Sequence, residues 1–158
     1  MTVSPRENTL LNGTWIIDRH LSSWSNGLFP RDSMNLSVSM KLENGRLFYH
    51  SMNQANPAIP PSRFQFDIPL DDCPHPFMGS QRFTHLQGRL LPDGALEILK
   101  LREKTVVIAE IWRRDQEGPL FRWGVSCAAS NGPKVYTEYF HMHCPDIAED
   151  RFGQMTQR

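Results

Sequence analysis

His141-Met142-His143 sets two imidazoles one residue apart, with Cys144 directly after them. In an extended segment both rings project from one face, about 6.5 to 7 Å apart along it. That spacing is compatible with a metal, but a further ligand such as His85 or Glu110 has to arrive from another strand, so the pair predicts no metal site by itself. Asp71-Asp72-Cys73-Pro74-His75 also mixes ligand types, yet its proline and polar neighbours suit an exposed loop. There is no Gly-x-Ser-x-Gly elbow and no phosphate-cradling glycine loop, which argues against a serine hydrolase and a nucleotide cofactor. Cys73, Cys127 and Cys144 make an odd count, so reduced thiols are expected, with Cys127 packed in an apolar strand.

The remaining chemistry is acid–base and hydrogen-bonding chemistry without a cofactor. His85, Glu110, Tyr139 and His141 are the candidate catalytic groups, as proton movers or as donors to a substrate carbonyl. Glu110 qualifies as a proton mover if burial raises its pKa. Tyr49, Phe83, Trp112 and Trp123 are the candidate walls of a binding site.

Those residues need elements that bring them together. Met34, Leu36, Val38, Met40 and Leu42 alternate with polar residues, the period of a half-buried strand. Asn44-Gly45 then supplies the two positive φ values of a type I′ turn before Leu47-Phe48-Tyr49-His50 resumes, which predicts a hairpin. Pro92-Asp93-Gly94 separates two further runs, 83–91 and 95–102, and 105–114 is joined to 120–127 across Asp115 to Pro119. Residues 135–143 form a last strand rich in aromatic and β-branched side chains. With 14–19 and 63–68, this gives eight or nine strands, antiparallel because the connections are short. Closing such a sheet removes its open edges, so an all-β, single antiparallel barrel is preferred to a two-sheet sandwich.

The expected organisation is an N-terminal arm over 1–12, a barrel domain over 13–144, and a tail over 145–158 in which Pro145, Ile147, Ala148 and Phe152 are compatible with a short helix. Lys plus Arg and Asp plus Glu number 17 each, and no basic run occurs, so a nucleic-acid partner is not expected. Hydrophobic residues make up 39% of the chain, the mean hydropathy is −0.47, and no apolar stretch approaches the length of a spanning helix, so no membrane insertion is expected. The polar start Met1 to Asn8 lacks the apolar core of an export signal, which predicts a cytoplasmic protein; a homodimer stays open.

Gly13-Thr14-Trp15, at the head of the first strand, resembles the Gly-x-Trp signature of the lipocalin and wider calycin barrels. The resemblance implies that Trp15 closes one end of the barrel under a basic residue from a late strand, for which Arg122 is the first choice and Arg113 and Arg114 compete. Leu36-x-Val38, Gly45, Asp71, Pro76, Gly79 and Thr105-Val106-Val107 are similar in layout to small lipocalin-like proteins of microbes, some of which are cofactor-free natural-product cyclases of the Diels–Alderase type. The resemblance implies two roles for an apolar small molecule in the lumen: cyclisation or isomerisation without a cofactor, or simple carriage.

Which side chains face that lumen depends on parity. In 105–114, Val106, Ile108, Glu110 and Trp112 compete with Val107, Ala109, Ile111 and Arg113; a large aromatic beside one polar group makes the first set the more pocket-like. In the last strand Thr137, Tyr139, His141 and His143 oppose Glu138, Phe140 and Met142. Both sets contain apolar members, so alternation leaves the direction open.

Overall fold

Alternation and turn chemistry carry the chain into ten strands: β1 (Gly13–Trp24), β2 (Leu36–Glu43), β3 (Arg46–Asn53), β4 (Ser62–Pro69), β5 (His75–Pro76), β6 (His85–Leu90), β7 (Leu96–Arg102), β8 (Thr105–Arg114), β9 (Leu120–Ser126) and β10 (Lys134–Met142). The computed structural model describes residues 9–25, 31–127 and 132–143. The tail 145–158 and Cys144 lie outside them. The count is ten rather than eight or nine because the loop around Asp71 to Ser80 contributes the two-residue β5, too short to leave a periodic signal.

All ten strands belong to one antiparallel sheet in the order β4-β3-β2-β1-β10-β9-β8-β7-β6-β5. A sandwich would need two sheets. The β2–β3 turn has Asn44 at φ 54° and Gly45 at φ 73°, the backbone that type I′ demands. β1 runs five residues beyond its expected end through a bulge between Asp18 and Ser23, where Asp18 Oδ1 accepts the His20 and Leu21 amides at 3.0 and 3.2 Å.

The sheet curls until its two ends, β4 and β5–β6, nearly meet, and side chains fill the seam. Phe64 on β4 touches Phe77 and Phe83 with ring centroids 5.3 and 5.8 Å apart, and Gly88 on β6 faces Ile68 and Leu70. One backbone bond, Asp72 N–H to Gly88 O at 3.0 Å, ties the seam beyond β4.

The far end is closed from the N-terminal side. A single 3-10 turn, Thr9–Leu11, crosses it; Leu11 and Trp15 are wholly buried, and the Trp15 indole N–H donates to Leu11 O at 3.0 Å. The basic residue over Trp15 is Arg114, its guanidinium carbon 4.9 Å from the ring and its Nη1 donating to Leu10 O at 3.1 Å. Arg122, the first choice from sequence, lies deeper, inside the barrel. Both occupy inward positions, and only the pairing of Leu120 with Arg114 shows which of them lies at the closed end. Cys127 is another departure: it stands just past β9 and is exposed rather than packed.

Candidate functional site

The inner wall is set by one parity per strand. Ile108, Glu110 and Trp112 of β8 face in, as do Arg122, Gly124 and Ser126 of β9 and Tyr136, Glu138 and Phe140 of β10. Register stacks them in layers. Trp112 is level with Arg122, Glu110 with Gly124 and Tyr136, and Ile108 with Ser126, going from the closed end toward the mouth. On the other side Phe66 and Tyr49, then Phe64 and Ser51, then Ser62 and Asn53 form the matching layers.

A cavity of about 370 Å³ opens through these layers above Trp112, lined by Tyr49, Phe64, Lys100, Glu110, Arg122 and Tyr136 among others, with exposed Ser62 and Arg82 at its mouth. That size suits one small organic molecule. A wider groove of about 720 Å³ includes Thr14, Ser39, Lys41, Phe48, His50 and Gln65 on the outer face of β1–β4, away from the buried charges.

Four charged side chains meet inside the lumen. Arg122 donates from Nε to Glu138 Oε1 at 2.5 Å, pairs with the same oxygen through Nη2, and reaches Glu110 Oε2 from Nη1 at 3.3 Å. Lys100 Nζ lies 3.6 Å from Glu110 Oε1. Tyr136 donates its hydroxyl to Glu110 Oε2 at 2.5 Å, and Trp24 donates its indole N–H to Glu138 Oε2 at 2.9 Å. Two cations thus face two carboxylates, and every carboxylate oxygen has a partner. Such completeness is what buried charge requires. The guanidinium also covers the Trp112 ring, 4.7 Å from its centroid.

Gly124 makes the Tyr136–Glu110 bond available. Tyr136 on β10 and Glu110 on β8 are separated by β9, and both are in register with Gly124. A Cβ at 124 would overlap the Tyr136 ring and hydroxyl, so glycine is the residue that lets the ring lie flat across β9.

These contacts set the protonation states. Burial pushes the Glu110 carboxyl up, but Lys100, Arg122 and the Tyr136 hydroxyl together outweigh it and hold the pKa below its ordinary value. Glu110 is therefore a fixed carboxylate and not the raised-pKa acid expected from burial alone. Desolvation lowers Lys100, and Glu110 only partly restores it. Burial also works against the Arg122 cation, but Glu138 and Glu110 raise it well above the usual range. Burial and then the Glu110 charge raise Tyr136; burial raises Tyr49.

Of the candidates named from sequence, Glu110 and Tyr49 line the cavity. Trp112 lies beneath it, wholly buried, with no acceptor for its indole nitrogen among the described residues. Phe83 stands in the seam, stacked on Phe77 with centroids 5.5 Å apart. The other four are not on the inner wall. Tyr139 packs against Phe121 on the outer face, its amide donating to Ser22 Oγ at 3.0 Å. His141 is exposed and paired with Asp18 Oδ2 at 2.8 Å. His85 has the outward parity of β6, its Nδ1 2.8 Å from Thr84 Oγ1, and Trp123 is 40% exposed. Lys100, Arg122, Tyr136 and Glu138 are lumen residues that the sequence did not announce. Gly124 between Arg122 and Ser126 was the available signal, since a strand-interior glycine marks a close approach.

No protein-family model matches this chain, and no curated protein matches it in sequence. The geometry of the lumen is thus the ground for function.

Proposed function

We propose that the barrel binds one small molecule with an apolar body in its lumen and turns it over without a cofactor, by cyclisation or isomerisation, as a lipocalin-like enzyme. The observation that carries this reading is the ion-paired and hydrogen-bonded cluster of Lys100, Glu110, Arg122 and Tyr136 on the wall of a cavity whose other lining mixes Tyr49 and Phe64 with aliphatic and small polar side chains. A structural core gains little from such a cluster, since apolar residues of similar volume serve stability as well or better. The lipocalin-like part of the reading rests on Trp15 under Arg114 and the 3-10 turn across the closed end.

Tyr49 and Phe64 would press a flexible substrate into a reactive conformer, converting lost conformational freedom into rate. Lys100, whose ammonium has protons beyond the one facing Glu110, would supply the polar part, as donor to a substrate oxygen on which charge grows in the transition state, while the single Tyr136 hydroxyl proton stays on Glu110. Glu110, with its lowered pKa, is a weak base, so its role, braced by Tyr136, is to orient the Lys100 ammonium; this favours cyclisation over proton abstraction.

Carriage is the second reading, and the charge balance favours it: with two cations already matched to two carboxylates, an uncharged ligand would be held without provocation to react. Incubation with a linear polyene bearing a carbonyl group, followed by chromatography, separates the two. Multiple turnovers that fall about a hundredfold in Lys100→Met support the enzyme. Unchanged substrate recovered in a one-to-one complex supports the carrier, and absence of any lumen binding refutes both.

A further inference from the structure

Lys100 differs from the other charged groups of the cluster in being a nucleophile as well as a cation. It follows Leu96 and Ile98 on the inner parity of β7, and register places it opposite Ile108, one layer nearer the mouth than Glu110. Its amine lies 5.0 Å from the centre of the Phe64 ring and 5.5 Å from that of Phe83, on the cavity wall, with 14% of the side chain exposed. Of the four lysines, Lys41, Lys100, Lys104 and Lys134, it is the only one among the residues lining the cavity.

We propose that Lys100 is a covalent capture site: its amine condenses with the carbonyl carbon of a small aromatic or apolar aldehyde or ketone held in the lumen. This rests on the lumen being the binding site. The step balances with solvent as the proton carrier. Water at the mouth takes one proton from the Lys100 ammonium, and the freed nitrogen lone pair attacks the carbonyl carbon. The carbonyl oxygen gains one proton from the nitrogen and one back from that hydronium, leaves as water through the mouth, and a protonated imine, facing the Glu110 carboxylate, joins Lys100 to the ligand. No oxidant, reductant or metal is consumed.

Three features suit that chemistry. Glu110 Oε1, at 3.6 Å, leaves the ammonium without a tight hydrogen bond to lock it, yet stands near enough to pair with the cationic imine once it forms. Desolvation favours the neutral, reactive amine despite the neighbouring carboxylate. The Phe64 and Phe83 rings flank the amine, so an aromatic aldehyde would present its carbonyl where its ring packs best.

The test uses naphthaldehyde as probe, cyanoborohydride to reduce any imine to a stable secondary amine, and mass mapping of the modified peptide. At limiting probe the expected product carries one adduct, heavier by the probe less one oxygen atom, on Lys100. Lys100→Arg keeps the positive charge but forms no such adduct, and Lys100→Met also loses it. Naphthalenemethanol, the same ring system without the carbonyl, reports lumen binding separately through quenching of tryptophan fluorescence. Adducts on Lys41, Lys104 or Lys134 with Lys100 unmodified, while naphthalenemethanol still binds the wild type and Lys100→Arg, would overturn covalent capture and leave the lumen site standing. Loss of both signals from a folded wild-type protein would overturn both.

Discussion

Arg122→Met tests the buried cluster most directly. Glu138 is 1% exposed and receives two contacts from the guanidinium; after the substitution its remaining partner is the Trp24 indole N–H at 2.9 Å. A carboxylate left in that position without its cation costs about 3 to 5 kcal/mol. Glu110 suffers less, because Lys100 and Tyr136 still hold it. Methionine fills much of the space over Trp112, so packing loss adds little. At about 2 to 4 °C per kcal/mol for a domain of this size, the melting temperature should fall by about 6 to 20 °C. Urea unfolding of Arg122→Met, Glu138→Gln and the double variant gives the decisive comparison. The double variant should recover most of the loss, since removing both charges leaves no uncompensated ion. If Arg122→Met alone lost less than about 1 kcal/mol, Glu138 would have to be reached by water, and the reasoning about a sealed ionic cluster would be wrong.

Trp15→Ala should lose about 3 to 5 kcal/mol in thermal or urea unfolding by emptying the closed end, whereas Arg114→Ala should lose about 0.5 to 1 kcal/mol through the ring contact; neither should alter lumen binding. Gly124→Ala should displace the Tyr136 ring and break its bond to Glu110, which near-UV circular dichroism and a lowered unfolding midpoint would report. Glu110 is held below its ordinary 4.5, so its contribution to stability is present above that pH and is lost as pH falls through the folded value. Asp18, Asp71 and Asp93 are lowered too, so the check is the difference between wild type and Glu110→Gln, which should narrow as pH falls below 4.5. Tyr139→Phe and His141→Ala, on the outer surface, should leave turnover or ligand binding unchanged when Lys100→Met impairs it.

The sequence by itself determined the all-β antiparallel architecture, because period-two alternation in Met34 to Leu42 and the Asn44-Gly45 turn are local instructions that the backbone obeys wherever they stand. It also marked Trp15 as a packing residue, and in β8, where one set pairs Trp112 with Glu110, it pointed to the inward face. Only the tertiary structure decided the rest. In β10 the inward set contains Glu138 and the outward set contains Tyr139, so a rule that sends charge outward and aromatics inward chooses the wrong face. The rule fails there because the charge of Glu138 is cancelled by Arg122 from the adjacent strand, a pairing fixed by register across β9–β10 and invisible to any window along the chain. Closure did the same for the two arginines. Arg122 was preferred to Arg114 from sequence, but their different depths relative to the Thr9–Leu11 turn made Arg114 the cover of Trp15 and Arg122 the centre of the lumen.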